Sequence, residues 1–590
     1  MKETWDLTPL YKDEAAFEED LKKFKEVYTP KMASFEGKLA EEKELVEYFK
    51  LDHEINALLE RLYMYAASLS DLNKKDVKAS ERQGRVELAL QDYISAVSYV
   101  EPELLAVGKE KMDAFFKKYP EVNEYDFQME KLFLGQKHVL SSDKEKLLSN
   151  YSPLLGAGSD LYSSLSVADL VPSKVTLSDG KEVTVTQSNW SSLVRNAKNV
   201  EDRKAIFETL YRYYDIHKHT YGEIYNNVLR AELAEMKGRG YPSILESHLE
   251  GNKISKEVFL NLIEAAKEGS APLKRYYELR KKALHLEKHR SYDRFLELAK
   301  SEKHYTFPEA QALFFESIKR FPEDFQKKAH EVNKEGYIDV YPHDGKRTGA
   351  YSNGGADIHP YILLNFEGEL DDVFTLAHES GHSIHTLYSE ESQPLAKQGY
   401  TIFVAEIAST FNEHNLLDYL LSRSDLSKND KIYLLQKAID EICSTFYRQT
   451  LFGEYEYRAS LLAEKGEPIN YAVLSKIMTE LYKEYYGIDI EEERLKPLVW
   501  AYIPHLFYTP FYVYQYATSF TASLLIYGRV KEGKPHSFED YIALLKMGGS
   551  DFPVEEVKKA HVDFLDKETF KACPKRMEEL LNKLEALLNE

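Results

Sequence analysis

Apolar residues recur at three- and four-residue spacing along most of the chain, set among Lys, Glu, Ala and Leu, as in "DEAAFEEDLKKFKEVY" near the start and "LEALLNE" at the end. That spacing lines one face of a helix, so it predicts an all-α fold class, mainly helical with small β elements. Two stretches break the period. In "VPSKVTLSDGKEVTVTQSNW", β-branched residues flank Asp179-Gly180, which is a hairpin turn signal. A domain boundary is expected there, dividing residues 1–190 from 191–590. The second break is "GYIDVYPHDGKRTGAYSNGGADIHPYILLNF", residues 336 to 366, glycine-punctuated and ending in an apolar run. Taken alone it reads as a hairpin packed on helices. It leads straight into a histidine-rich helix, so Gly354 and His359 are carried as candidates for contact with a substrate or with the groups around an ion.

That helix is the stretch from Gly368 to Glu390, "GELDDVFTLAHESGHSIHTLYSE", with Asp371 or Asp372 near its N-terminus and Val373, Phe374, Leu376, Ala377, Ile384 and Leu387 supplying apolar faces. His378 and His382 are four apart, share one face and lie one turn from each other, close enough to hold one ion. Glu379 points beside them and can hydrogen-bond a water next to the ion without being a ligand. Zinc needs a third protein ligand and an open position. His385 lies seven residues after His378, about 10 Å along the axis, too far for both to reach one ion. It reads as a supporting or substrate-facing residue, or as a plain partly buried histidine. The longer pattern that adds a third histidine three residues beyond a glycine fails, since His385 stands where Gly would be and Tyr388 where the last His would be. A carboxylate from a later helix remains. "GYTIFVAEIASTFNEHNLLDYLLS" offers Glu406 and Glu413, seven apart on an otherwise apolar helix, where a charge needs a partner.

Composition narrows the partners. The chain has 590 residues, 43% hydrophobic and 30% charged, enough for a large core. Lys plus Arg number 77 against 98 Asp plus Glu, a formal charge of −21, which argues against binding phosphate backbones or anionic lipid. No nucleic acid or membrane partner is therefore expected. Two cysteines, Cys443 and Cys573, cannot scaffold a body of this size and point to a reducing compartment. The opening residues have no apolar signal core, and no run approaches the roughly 18 to 20 apolar residues of a membrane span. A cytoplasmic protein is the expectation.

"HESGHSIH" followed by "VAEIASTFNE" resembles the thimet oligopeptidase family of zinc metallopeptidases, and more closely its oligoendopeptidase F branch. "TWDLTPLY", "KRTGAYSNG", "HPYILLNF" and "IPHLFYTPFYVYQYATS" resemble segments of that branch, from Trp5 to Ser519. The resemblance implies a prolate, two-lobed zincin-type body with a deep central channel, an N-terminal helical domain over 1–190 and a catalytic domain over 191–590. It makes His378, His382 and Glu406 the ligands of one Zn2+ per chain, Glu379 the general base and acid, and Glu413 a neighbouring helper. The implied activity is hydrolysis of internal bonds of short unstructured oligopeptides. A carboxypeptidase or dipeptidase-like relative is the alternative. A non-catalytic helical binding protein is a second alternative, though it has no need of Glu379 between the histidines. The strand around Ile362 to Phe366 is expected to take an extended peptide along its edge.

In "AYIPHLFYTPFYVYQYATSF" the local signals predict a helix starting with Thr509 as cap and Pro510 in its first turn, leaving His505 and Tyr508 in a loop. The resemblance gives His505 and a following tyrosine the role of holding the developing oxyanion, with Tyr508, Tyr512 and Tyr514 in competition. Tyr514 is favoured if the register follows the apolar residues, and Tyr512 if it follows His505.

Overall fold

The computed structural model describes residues 3–301 and 303–590, and they are mainly helical with two small sheets. Two compact units form. One gathers Met1–Lys137, Glu302–Arg423 and Ala522–Val562, and the other His138–Ser301, Ser424–Thr521 and Asp563–Glu590. These units differ from the division at residue 190 expected from the sequence. In the first unit the reason is visible. Tyr361 and Leu363 complete the core formed by Trp5, Phe17, Phe24, Phe49 and other N-terminal apolar residues. The Trp5 indole donates to the Ile362 carbonyl at 2.8 Å. Burial of apolar surface ties residues that are more than three hundred positions apart.

The hairpin around Asp179-Gly180 forms in the second unit, with β1 Ser173–Thr176 antiparallel to β2 Glu182–Val185 and Gly180 in a left-handed conformation. In the first unit the glycine-punctuated island is a three-stranded sheet instead of a simple hairpin. β3 Ile338–Asp339 runs parallel to β5 Ile358–Leu363, and β4 Tyr351–Gly355 runs antiparallel to β5 on its other side. β5 is therefore the central strand, and the expectation that Ile362 to Phe366 offers an edge is overturned. The Ile362, Leu364 and Phe366 N–H groups are taken by the Tyr337, Asp339 and Val340 carbonyls. β3 and β4 are the outer strands.

The second unit is rich in buried phenols, among them Tyr211, Tyr214, Tyr221, Tyr225 and Tyr276. The fully buried Arg280 guanidinium is satisfied there by the carbonyls of Asp293, Arg294 and Leu296. Among the described residues, no helix is long and apolar enough to cross a membrane.

Candidate metal centre

The histidine helix spans Leu370–Ser392. Glu369 takes the cap position, and Asp371 and Asp372 stand in the first turn as expected. Asp372 acts from the first turn, its carboxylate accepting the Glu367 and Glu369 N–H groups at 2.9 Å each. Val373, Phe374, Leu376, Ala377 and Ile384 are buried, which orients the helix. The second helix, Ile402–Ser422, carries Glu406 and Glu413. The two cross at Gly381, where a Cβ would stand 2.5 Å from the Ala408 carbonyl oxygen and 2.6 Å from Ser409 Cα. Only glycine permits that approach. Asn412 locks the crossing by donating to the Ala377 carbonyl at 3.0 Å.

The crossing sets three side-chain atoms in a triangle. His378 Nε2 and His382 Nε2 are 3.2 Å apart, and Glu406 Oε2 lies 3.3 Å from the first and 3.5 Å from the second. Ligand atoms about 2.0 to 2.1 Å from a tetrahedral zinc stand about 3.3 Å from one another, so two imidazole nitrogens and one carboxylate oxygen fit that ion. Glu413 accepts from the other ring nitrogen of His378 at 2.5 Å, the outer contact that fixes which nitrogen faces the triangle.

Electrostatics concentrate at the same place. Burial works against a charged His378, but the Glu406 and Glu413 carboxylates outweigh it and push the imidazole well above its ordinary value. Burial likewise works against an ionised Glu406, and the two imidazoles outweigh it, holding the carboxyl far below the usual range. Glu379 is raised, because burial outweighs the attraction of the same imidazoles. A buried carboxyl with a raised affinity for protons is suited to receiving and returning one.

His378, Glu379, His382 and Glu406 line a cavity of about 810 Å³ within the first unit, together with β4 from Tyr351 to Gly355. Ser352 and Ser383 share a hydrogen bond of 2.8 Å that holds β4 along the histidine helix. Gly354 belongs to this wall, and its lack of a side chain is required by Pro360 of β5, whose Cα would lie 2.8 Å from a Cβ there.

Residues 193–573 match peptidase family M3, and residues 103–171 match oligopeptidase F. The chain belongs to peptidase family M3. Group B oligopeptidase PepB of Streptococcus agalactiae is 32% identical over 588 residues, covering 100% of this chain and 97% of that one. Oligopeptidase PepF of Bacillus subtilis is 33% identical over 593 residues, covering 100% and 87%. The crystal structure of oligoendopeptidase-F from Enterococcus faecium superposes with a TM-score of 0.75 at 28% identity, covering 97% of both chains. The resemblance to the oligoendopeptidase F branch is thus established, and with it metallo-oligopeptidase activity in a family of zinc enzymes.

Other candidate residues of this M3 peptidase are not members of the triangle. His385 is 1% exposed and stacks on Tyr400, with ring centroids 3.7 Å apart, and it does not line the cavity itself. His359 does not line the cavity. It stacks on Tyr337 at 3.5 Å, and its Nδ1 lies 3.3 Å from the Pro360 carbonyl oxygen.

His505 and the tyrosines belong to the second unit. The expected helix start at Thr509 does not occur. His505–Tyr508 is one helical turn, and the long helix begins only at Tyr514. Between them Phe511 adopts a left-handed φ of 56°, its N–H donating to the buried Glu456 carboxylate at 2.8 Å. That turn ends the helical path that Pro510 would otherwise have started. The Tyr512 ring is nearly parallel to His505, with centroids 6.1 Å apart, and Tyr516 meets both edge-on. Tyr514 is 2% exposed and packs edge-on against Phe259, while Tyr508 is 41% exposed beside Tyr162.

Sequence reasoning missed Gly381 as the crossing point, Tyr400 as a cavity wall, Tyr516 as a partner of His505 and Glu456 as the anchor of Phe511. Gly381 carried a readable signal, a glycine in mid-helix between two histidines. The others depend on chain segments brought together only by folding.

Proposed function

We propose that this M3 peptidase is a zinc endopeptidase of short oligopeptides, with one Zn2+ held by His378, His382 and Glu406. The observation that carries the reading is the triangle of two imidazole nitrogens and one carboxylate oxygen beside the buried Glu379, on a cavity walled by an outer strand. Zinc bound there supplies Lewis-acid polarisation of the scissile carbonyl and acidifies a water. Glu379 accepts the proton of the attacking water and delivers it to the leaving amine, a cycle favoured by its raised proton affinity. Glu413 holds the His378 ring in register. The free side of β4 binds an extended peptide by main-chain hydrogen bonds, which selects unfolded chains over folded ones. The family resemblance assigns His505 and a following tyrosine to the developing oxyanion. The parallel placement of Tyr512 on His505 supports it over Tyr514, whose ring is committed to packing against Phe259. Both cysteines are free and buried, which supports a reducing, cytoplasmic location.

Internally quenched peptides blocked at both ends test the reading against an exopeptidase. Cleavage within the blocked peptides, lost on chelation and regained with zinc, is expected. Cleavage confined to peptides with a free terminus would overturn the assignment in favour of a carboxypeptidase or dipeptidase.

A further inference from the structure

One wall of the cavity is built on both metal-bearing helices at once. Thr386 lies one turn beyond His382, and Ile402 one turn before Glu406, so each flanks a candidate ligand on the face that ligand uses. The segment joining the two helices brings Tyr400 to the same wall. Its ring lies flat on the His385 imidazole, with planes 7° apart, and its hydroxyl meets Thr386 Oγ at 3.2 Å. The backbone behind Tyr400 is pinned. Ser389 donates to the Gln398 carbonyl at 2.7 Å, and the Gly549 N–H donates to the Lys397 carbonyl at 2.8 Å. A Cβ on Gly549 would stand 2.0 Å from the Gly399 carbonyl oxygen, so nothing larger fits under the loop. Leu395 and Ala405 add apolar surface to the same cavity, beside the polar Gln398 and Glu390.

Burial disfavours the charged form of His385 and pushes its pKa down to about 3. It therefore meets Tyr400 as a neutral aromatic plate. Offset or parallel ring contacts of this kind hold a side chain in one orientation. One helical turn, about 5.4 Å, separates this wall from the ligand positions. That is the reach from a scissile carbonyl to the side chain of an adjoining residue, since consecutive Cα atoms stand about 3.8 Å apart.

We propose that Tyr400, Ile402, Leu395 and Ala405 form a pocket selecting a large apolar side chain on the residue adjoining the cleaved bond, with Tyr400 determining specificity and His385 positioning it. The inference rests on the peptidase reading above. Apolar pockets discriminate by size, at about tenfold or more for a substantial change in volume.

The test uses quenched peptides blocked at both ends, identical except for Ala, Leu, Phe, Trp or Asp on either side of the cleaved bond, with zinc content measured for every variant. Wild type should favour Leu and Phe over Asp at one of the two positions. At that position Tyr400→Ala enlarges the pocket and should raise the Trp-to-Leu ratio of kcat/KM about tenfold, while Ile402→Phe fills it and should lower that ratio by a similar factor. His385→Ala should flatten the preference, and His385→Phe, which keeps a stacking ring, should restore it. Ratios within twofold of wild type in both zinc-replete pocket variants overturn the pocket. Should Tyr400→Ala not fold, Ile402→Phe alone decides in the same way. Equal loss of preference in His385→Ala and His385→Phe overturns the positioning role. Failure of the peptidase reading is distinct, because wild type would then cleave none of the blocked peptides.

Discussion

The helix pair of the first unit and the aromatic turn of the second hold their polar groups by opposite means. His378, His382, Glu406 and Glu413 sit on two helices whose backbones touch at Gly381, so each side chain inherits its place from regular geometry. His505 and Tyr512 flank a turn in which one residue, Phe511, is left-handed and one carboxylate, Glu456, holds its N–H. Non-glycine residues in that conformation store strain, about 1 to 3 kcal/mol, and persist only when their surroundings impose it. The helix pair is rigid because many contacts agree. The turn persists because a few contacts override its backbone preference.

The sharpest test of the helix pair separates holding an ion from using it. Glu379→Gln is expected to lower turnover about a hundred- to ten-thousandfold with zinc content near one per chain. Glu406→Ala is expected to lose zinc on dialysis. Glu413→Ala should weaken zinc binding only about ten- to a hundredfold, as for an outer contact. Equal zinc retention in Glu406→Ala, Glu413→Ala and His385→Ala would remove Glu406 from the ligand set.

The same contrast explains what the sequence made legible. Helical period and the His378 and His382 spacing are local patterns, and a helix converts spacing directly into a shared face. The later helix offered both Glu406 and Glu413, and only the family resemblance chose between them. The hairpin at Asp179-Gly180 was local too. The central place of β5 was not, because β3, its parallel partner, is separated from it by the whole of β4, and parallel pairing leaves no turn signature. The turn at Phe511 was hidden for another reason. Proline after threonine is an ordinary helix start, and only the distant Glu456 overrules it. Tyr514 was favoured by apolar register, and that register proved to be its packing face against Phe259.

If the aromatic turn supplies the oxyanion donor, phenylalanine replacements should divide cleanly. Tyr512→Phe should raise the barrier by about 3 kcal/mol, seen in kcat with little change in KM or zinc. Tyr514→Phe and Tyr508→Phe should stay within a few-fold of wild type. A large fall at Tyr514 and none at Tyr512 would show that the catalytic position follows the buried side of the turn.

Gly381→Ala attacks the helix pair directly. A methyl 2.5 Å from the Ala408 carbonyl must force the helices apart, a strain of about 2 to 3 kcal/mol. A lower Tm together with weaker zinc binding is expected, since Glu406 lies two residues from the contact. An unchanged Tm would mean that the crossing is looser than its atoms indicate.

Glu456 offers the gentlest probe of the turn, because the Gln replacement keeps an acceptor for the Phe511 N–H while removing the titration. Burial, helped by the charge of Glu232, pushes the Glu456 carboxyl well above the ordinary range, against the opposing bond from Phe511. The folded state therefore keeps a proton that the unfolded chain releases near pH 4.5. The stability that this proton represents is fully present below that pH and is lost as pH rises, at about 1.4 kcal/mol per unit, until the folded carboxyl itself ionises. Glu456→Gln lacks this dependence. Its Tm relative to wild type should gain steadily between pH 5 and the point where the buried carboxyl ionises, with kcat for blocked peptides little changed. Glu456→Leu, which leaves the Phe511 N–H without an acceptor, should lower kcat at every pH while zinc content stays whole. A pH-independent Tm difference between wild type and Glu456→Gln would show that Glu456 is ionised in the fold, and that the turn is held by a charge instead of a neutral acid.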